Sequence, residues 1–359
     1  MAYRVVLTLG LSAAASALVL PPRAPPRGAA TRPLHASMSA PEMGQTALAL
    51  LRSLDAPQPT AEVLLALFAA CTEVSSSIAT ASCDSFACFN NFGNMHEQVA
   101  IDLLAEQVLF DRLRETGRVC VASSVSDKVM QPLSAEGELS ISLYPIDASS
   151  VMETNFAVGT IFGVWGSPHL VNVTGRQLVA AGTCSYGPRT VLNVALAGCS
   201  SVYELVLVDG EWLVSNCFSS MGEGKLFAPG NLRVLPENPG YASLVQYWQD
   251  NRYQLRYTGG LVCDVTQLLV KGYGIFVSPS SPDRRPSLRT LYEALPMAFL
   301  IEKAGGASSD GRSSLLEIMV TSPDDRTQVA LGSADEVARF EEMVGPLALS
   351  AEKPAMSHN

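Results

Sequence analysis

An α/β layered fold is what this sequence predicts, on three observations. Helix-patterned and strand-patterned segments alternate through both halves of the 359 residues, and no internal repeat divides them. One stretch rich in Gly, Pro and Asn, "SSMGEGKLFAPGNLRVLPENPG", interrupts the alternation past the middle and marks a domain boundary. The composition is 48% hydrophobic and 7% aromatic, enough apolar surface for one large core or two medium ones.

The elements follow in chain order. From Met43 to about Leu67 the pattern is helical, with a break at "DAPQPT". "HEQVAIDLLAEQVLFDRLRE" is the strongest helix, with Ile101, Leu104 and Val108 as its core stripe and Val99, Leu103 and Phe110 beside it. "ELSISLYPIDASS" alternates Leu139, Ile141 and Leu143 with Ser140 and Ser142, a half-buried strand ending at Pro145. "YELVLVDGEWLVS" is a hairpin turning at Asp209-Gly210. Beyond the boundary come a short helix from Tyr241 to Gln249, a strand around "GIFVSPSSP", and the helix "SLRTLYEALPMAFLIEKAGG". In that last helix Leu288, Leu291, Tyr292 and Leu295 share a face, and Gly305-Gly306 stops it. The domains read as a leader over residues 1–42, an N-terminal domain over 43–222, a C-terminal domain over 223–350 and a tail over 351–359.

The leader is unlike the rest. Arg4 precedes the short apolar run "VVLTLGLSAAASALVL", and small residues Ala15, Ser16 and Ala17 follow, as in a secretory signal. The Pro-, Ala- and Arg-rich "PPRAPPRGAATRPLHASMSA" behind it has no acid, as in an organelle transit peptide. Two readings stay open: a two-part leader for a plastid wrapped by extra membranes, or one signal peptide and a linker. The mature form is then free of the membrane. The net charge is −10 with no basic run, which argues against nucleic acid as a partner. The eight cysteines form no dense disulfide framework. Only Cys83 and Cys88 bracket a polar, loop-like stretch, "SCDSFACFN", where a closable redox pair can form.

The segments "TNFAVGTIFGVW", "YGPRT", "APGNLR", "RYTGGLVCDV" and "LYEALPMAFLIEKAGGASSDG" resemble the fructose-1,6-bisphosphatase family, in the family's order. "APGNLR" and "RYTGG" resemble its sedoheptulose-1,7-bisphosphatase branch. The likeness runs from about Leu64 to Gly345. It implies a two-domain α-β-α-β-α sandwich, commonly oligomeric, that hydrolyses a sugar 1-phosphate with magnesium-activated water. The leader and the spacing of Cys83 and Cys88 resemble the plastid branch, which acts in the reductive pentose phosphate cycle. There a disulfide opposes activity until thioredoxin reduces it.

By this resemblance Asp147 and Glu293 are metal ligands, with the Ile146 carbonyl as a third. Asp127 stands for the base and Asp102 for a second catalytic acid. Ala148, Ser149 and Ser150 form a phosphate cradle, with Ala148 where the family has glycine. Asn231, Arg256, Tyr257 and Arg289 match the substrate side, Arg256 serving a neighbouring subunit. The departures are as informative. Tyr144 stands where the family has a metal-bridging acid, and a phenol with an ordinary pKa near 10 offers one neutral oxygen there. "SSVSD" replaces Ser-Glu-Glu, so Ser126 removes another ligand, and His96 or Asn94 falls at a third family acid. Ser287 stands for a lysine, with Arg284 or Arg285 as substitutes for a distal phosphate. Two functions are implied: a sugar-bisphosphate phosphatase working with one magnesium ion rather than two or three, or a silent relative that binds sugar phosphates or partners active subunits.

Overall fold

Thr46 starts the first helix, α1 (Ala47–Ser53), its hydroxyl accepting from the Ala49 amide at 3.3 Å. The computed structural model describes residues 42–80 and 99–346, so Cys83, Cys88, Asn94, His96, the leader and the tail lie outside the described residues. Two longer helices follow, α2 (Gln58–Thr80) and α3 (Val99–Thr116).

These three helices cover one face of an eight-stranded sheet. Its strands are β1 (Val119–Ser124), β2 (Gln131–Pro132), β3 (Leu139–Asp147), β4 (Val158–Trp165), β6 (Leu178–Tyr186), β7 (Thr190–Leu196), β8 (Val202–Val208) and β9 (Glu211–Phe218). A two-residue strand, β5 (Val173–Thr174), lies outside this sheet. The order is β2-β1-β3-β4-β6-β7-β8-β9, antiparallel except for β1 beside β3. Asp209 and Gly210, both at positive φ, make the β8–β9 turn as the Asp-Gly pair predicts.

The second sheet has the order β11-β10-β12-β17-β14. It is built from β10 (Gly222–Pro229), β11 (Gln254–Leu255), β12 (Tyr273–Ser278), β14 (Ala307–Ser309) and β17 (Val329–Gly332). The helices of this half are α4 (Pro239–Asp250), α5 (Leu261–Lys271), α6 (Leu295–Lys303) and α7 (Ala334–Met343). Three apolar clusters follow from this order. One joins α1–α3 to the first sheet, the second joins both sheets through α5 and α6, and the third packs α4 and α7 on the far side of the second sheet. The result is the α-β-α-β-α sandwich that the sequence predicts.

Three local readings need correction. Ser140 and Ser142 are buried, because α5 and α6 cover the second face of β3 and make it an inner strand. Each hydroxyl is paired, Ser142 accepting from Trp165 Nε1 at 3.0 Å and Ser140 meeting Cys120 Sγ at 3.2 Å. In α3 the fully buried stripe is Ala105, Leu109 and Leu113, and Leu103 and Leu104 are exposed. Apolar residues surround that helix, so period alone did not choose the face. The late helix begins only at Leu295. Before it, Leu288–Arg289 is a short strand and Thr290–Ala294 a π-type turn, with Pro296 in the first turn of α6.

Candidate active site

A cavity of about 610 Å³ opens between the two sheets. Tyr144, Asp147, Ala148, Ser150, Asn231, Tyr257, Ser287 and Glu293 all line it. Residues drawn from five separated segments of the sequence therefore meet at one place.

A β-bulge makes this possible. Side chains three apart on a regular strand point to opposite faces. Between Tyr144 and Asp147 the β3–β4 register shifts, three steps on β3 matching two on β4, from Ile161 to Gly159. Pro145 sits in the irregularity, where it has no ladder N–H to offer, and its carbonyl accepts from Thr160 Oγ1 at 2.7 Å. The extra residue turns Tyr144 and Asp147 into the same cavity, and Ile146 is buried in the first core.

Asp147 crosses to the start of α5, where its Oδ2 accepts from the Val262 amide at 2.8 Å. Burial still dominates, raising its pKa to about 7. Glu293 sits in the π-type turn, its Oε2 accepting from the Arg289 amide at 2.8 Å, and burial raises it likewise to about 7, with Asp147 adding repulsion. Asp264, on α5, accepts from the Thr258 amide at 2.8 Å, and its other oxygen is buried without a partner among the described residues. Its pKa is about 6, again through burial. The Tyr144 phenol is held well above its ordinary value by burial and by the nearby charges of Asp147, Glu293 and Asp102. It is neutral at every physiological pH.

Ala148 stands at φ 63 and starts the short turn Ser149–Thr154. A left-handed alanine is strained by about 1 kcal/mol, and its methyl group approaches Gly260. Asn231 is also left-handed, at φ 53, with its amide donating to the Pro279 carbonyl at 2.7 Å. The Ser287 hydroxyl meets Ser278 Oγ at 3.2 Å. Arg289 does not line the cavity. Its guanidinium pairs with Asp324 at 3.1 Å, yet its charge acts on both Glu293 and Tyr144.

Some predicted residues are not brought together. Asp127 is exposed and closes its own turn, accepting from the Val129 amide at 2.8 Å and from Gln131. Asp127, expected as the base, is not among the residues that line the cavity. Within "SSVSD" it is Val125 that turns inward, continuing β1 through a 3.0 Å bond to the Leu143 carbonyl and packing on the same cluster as Tyr144, and Ser126 is exposed. Arg284 pairs with Glu237 at 3.4 Å, and Arg256 is exposed at the edge strand β11. Asp102 is half-buried with one oxygen unpartnered among the described residues. Burial raises its pKa to about 6, against the pull of the Ser149 hydroxyl. Two lining residues escaped the sequence reading. Asp264 reads as an ordinary first-turn acid, and Arg233, beside Asn231 and Tyr257, lay unnoticed inside "APGNLR".

Residues 49–216 match the N-terminal domain of fructose-1-6-bisphosphatase and residues 221–345 its C-terminal domain. The chain belongs to the fructose-1,6-bisphosphatase family. It is 46% identical to the chloroplastic sedoheptulose-1,7-bisphosphatase of Triticum aestivum over 284 residues, 78% of this chain and 72% of that one. It is 37% identical over 258 residues to a class 1 fructose-1,6-bisphosphatase of Geobacter sulfurreducens, 69% of this chain and 80% of that one. A solved Toxoplasma gondii protein described as a sedoheptulose-1,7 bisphosphatase superposes with a TM-score of 0.77 at 32% identity, covering 84% of this chain and 98% of that one. The holo fructose-1,6-bisphosphatase of Leishmania major, at 24% identity, shares the fold with a TM-score of 0.74.

Against that membership the donor set is thin. Among the described residues no group of three or more His, Cys, Asp or Glu side chains is arranged to hold a metal ion. Asp147 and Glu293 do fit a single hard cation, since each is a buried carboxylate whose raised pKa a positive charge would reverse. Two carboxylates suffice for one magnesium ion when phosphate oxygens and water complete its shell.

Proposed function

We propose that the chain is a sugar-bisphosphate phosphatase with a reduced metal site. It removes a phosphate monoester with one magnesium ion, and slowly. The observation that carries this reading is the neutral phenol of Tyr144 in the same cavity as Asp147 and Glu293. Those two carboxylates would hold the ion, with the Ile146 carbonyl as a candidate third ligand. The ion, when bound, screens phosphoryl charge and acidifies water.

The remaining work falls to the chain. The amides of Ala148, Ser149 and Ser150 receive phosphate oxygens where the short turn begins. Asp102, half-buried beside the Ser149 turn and raised to about 6 by burial, accepts the proton from the attacking water. At the other end Asn231, Tyr257 and Ser287 orient the sugar. Arg233, which has no carboxylate within ion-pair distance among the described residues, takes the distal phosphate. Arg289 screens Glu293 from outside the cavity. Exposed Arg256 is offered to a second copy of the chain in a homo-oligomer. Similarity to chloroplastic relatives supports the plastid stroma as the location, reached through the leader. Thioredoxin control through Cys83 and Cys88 belongs to the same reading, as does division into domains at about residue 222.

A binding-only protein is the second reading, and Tyr144 favours it, since its ring lines the cavity where the family has an acid. Phosphate release decides between them. The reduced chain is supplied with magnesium and sedoheptulose or fructose bisphosphate. Slow release that is lost in Asp147→Asn supports the phosphatase. Tight bisphosphate binding with no release supports the binding protein.

A further inference from the structure

A second cavity, of about 460 Å³, lies at the far end of α6 and shares no lining residue with the first. Phe299, Leu178 and Leu316 give it an apolar floor, and Ser200 and Ser219 add hydroxyls. Three charged side chains line it: Arg176, Glu302 and Lys303.

Two of these charges are already matched. Arg176 pairs with Glu317 at 2.9 Å and with Glu302 at 3.2 Å, and Glu302 also accepts from the hydroxyls of Ser308 and Ser314. Lys303 is different. Its ammonium donates to the Ala197 carbonyl and lies 5.4 Å from the centre of the Phe299 ring. Among the described residues no carboxylate stands within ion-pair distance of it. Lys303 is therefore the one lining charge without an ion pair among the described residues, over an apolar floor, and with Glu317 counted the charges of the cluster cancel. Small-molecule sites have this character, mostly apolar with one or two placed polar groups.

We infer that this cavity binds a small organic anion, its apolar body on Phe299, Leu178 and Leu316 and its carboxylate or phosphate-type head on Lys303. Cys199 lines the same wall and packs as a small apolar residue there. The inference is independent of what happens in the first cavity, from which α6 separates it.

Calorimetric titration of the full chain with benzoate and with phenylphosphonate tests it. These probes supply the two head chemistries on one body, and neither is hydrolysed. The expected result is saturable binding with a Kd of about 0.1–1 mM, the range for so small a ligand. Lys303→Gln should weaken it about tenfold or more, whereas Lys303→Arg, which keeps the charge, should stay within about threefold. Arg233→Gln, which alters only the first cavity, should bind as the unaltered chain does. A thermal melt of each variant confirms that it is folded. The site is overturned by the absence of saturable binding to the unaltered chain, by undiminished binding in folded Lys303→Gln, or by loss of binding in Arg233→Gln.

Discussion

The two ends of the central cavity were built under opposite electrostatic rules. Around Tyr144, carboxylates are buried, and burial has raised Asp147 and Glu293 to about 7. Around Arg233, the lining is half-open, with Tyr257 49% exposed, and among the described residues the arginine is the one cation of the lining, set against the charges of Asp264 and Asp147. The open end binds with groups that water still solvates, at little cost. The closed end concentrates negative charge that is costly without a cation. Replacing an acid by Tyr144 lowers that cost and with it the capacity to hold metal. On the proposed reading, the difference teaches that a binding end can keep an arginine while the chemical end beside it carries one acid fewer.

The sharpest way to break this comparison is Tyr144→Asp. Under saturating magnesium, phosphate release from the bisphosphate should rise by about 10²-fold, the scale of one well-placed charge-stabilising group. Unchanged release would show that the closed end is not limited at Tyr144.

A second effect is confined to that end. The ordinary carboxylate values are 3.8 and 4.5, so the folded chain holds protons on Asp147 and Glu293 that the unfolded chain has released. Stability without divalent cations should therefore fall as the pH rises from about 4 to 7, by on the order of 5–10 kcal/mol for the two carboxylates together. Urea melts at several pH values measure this. Asp147→Asn should flatten the slope and Arg233→Gln should leave it intact. A slope of the opposite sign would remove the burial argument.

Arg233→Gln sharpens the other side. It should weaken a bisphosphate by about 2 kcal/mol and a monophosphate far less, because one charge-assisted contact is lost. Equal weakening of both ligands in calorimetry would detach Arg233 from the distal phosphate. The smallest effect belongs to Ala148→Gly, which releases a left-handed alanine. It should raise the urea midpoint by the equivalent of about 0.5–1 kcal/mol, and a fall would place the strain elsewhere.

Much of the fold was legible because the helix and strand periods are written locally. The Asp209-Gly210 hairpin and the helix read from Tyr241 need only neighbours; α4 starts two residues earlier, at Pro239, with the Asn238 side chain accepting from the Tyr241 amide at 2.9 Å. What failed was whatever depends on a second layer. Ser140 and Ser142 read as solvent-facing because alternation marks a polar face without saying what covers it. Leu104 read as core because the apolar residues of its helix encircle the axis. Order within "SSVSD" does not say which residue turns inward, and Arg233 was passed over because its motif marks only a branch of the family.

By itself the sequence determined the layered class, the family motifs and the replacement of acids by Tyr144 and Ser126, since residue identity and local period carry those directly. Only the tertiary structure decided that Tyr144 and Asp147 share a cavity, through one extra residue in β3. It alone decided that Asp147 meets the start of α5, 115 residues away. The physical reason is that charge and burial depend on what stands opposite in space, and a chain read in one dimension has no opposite.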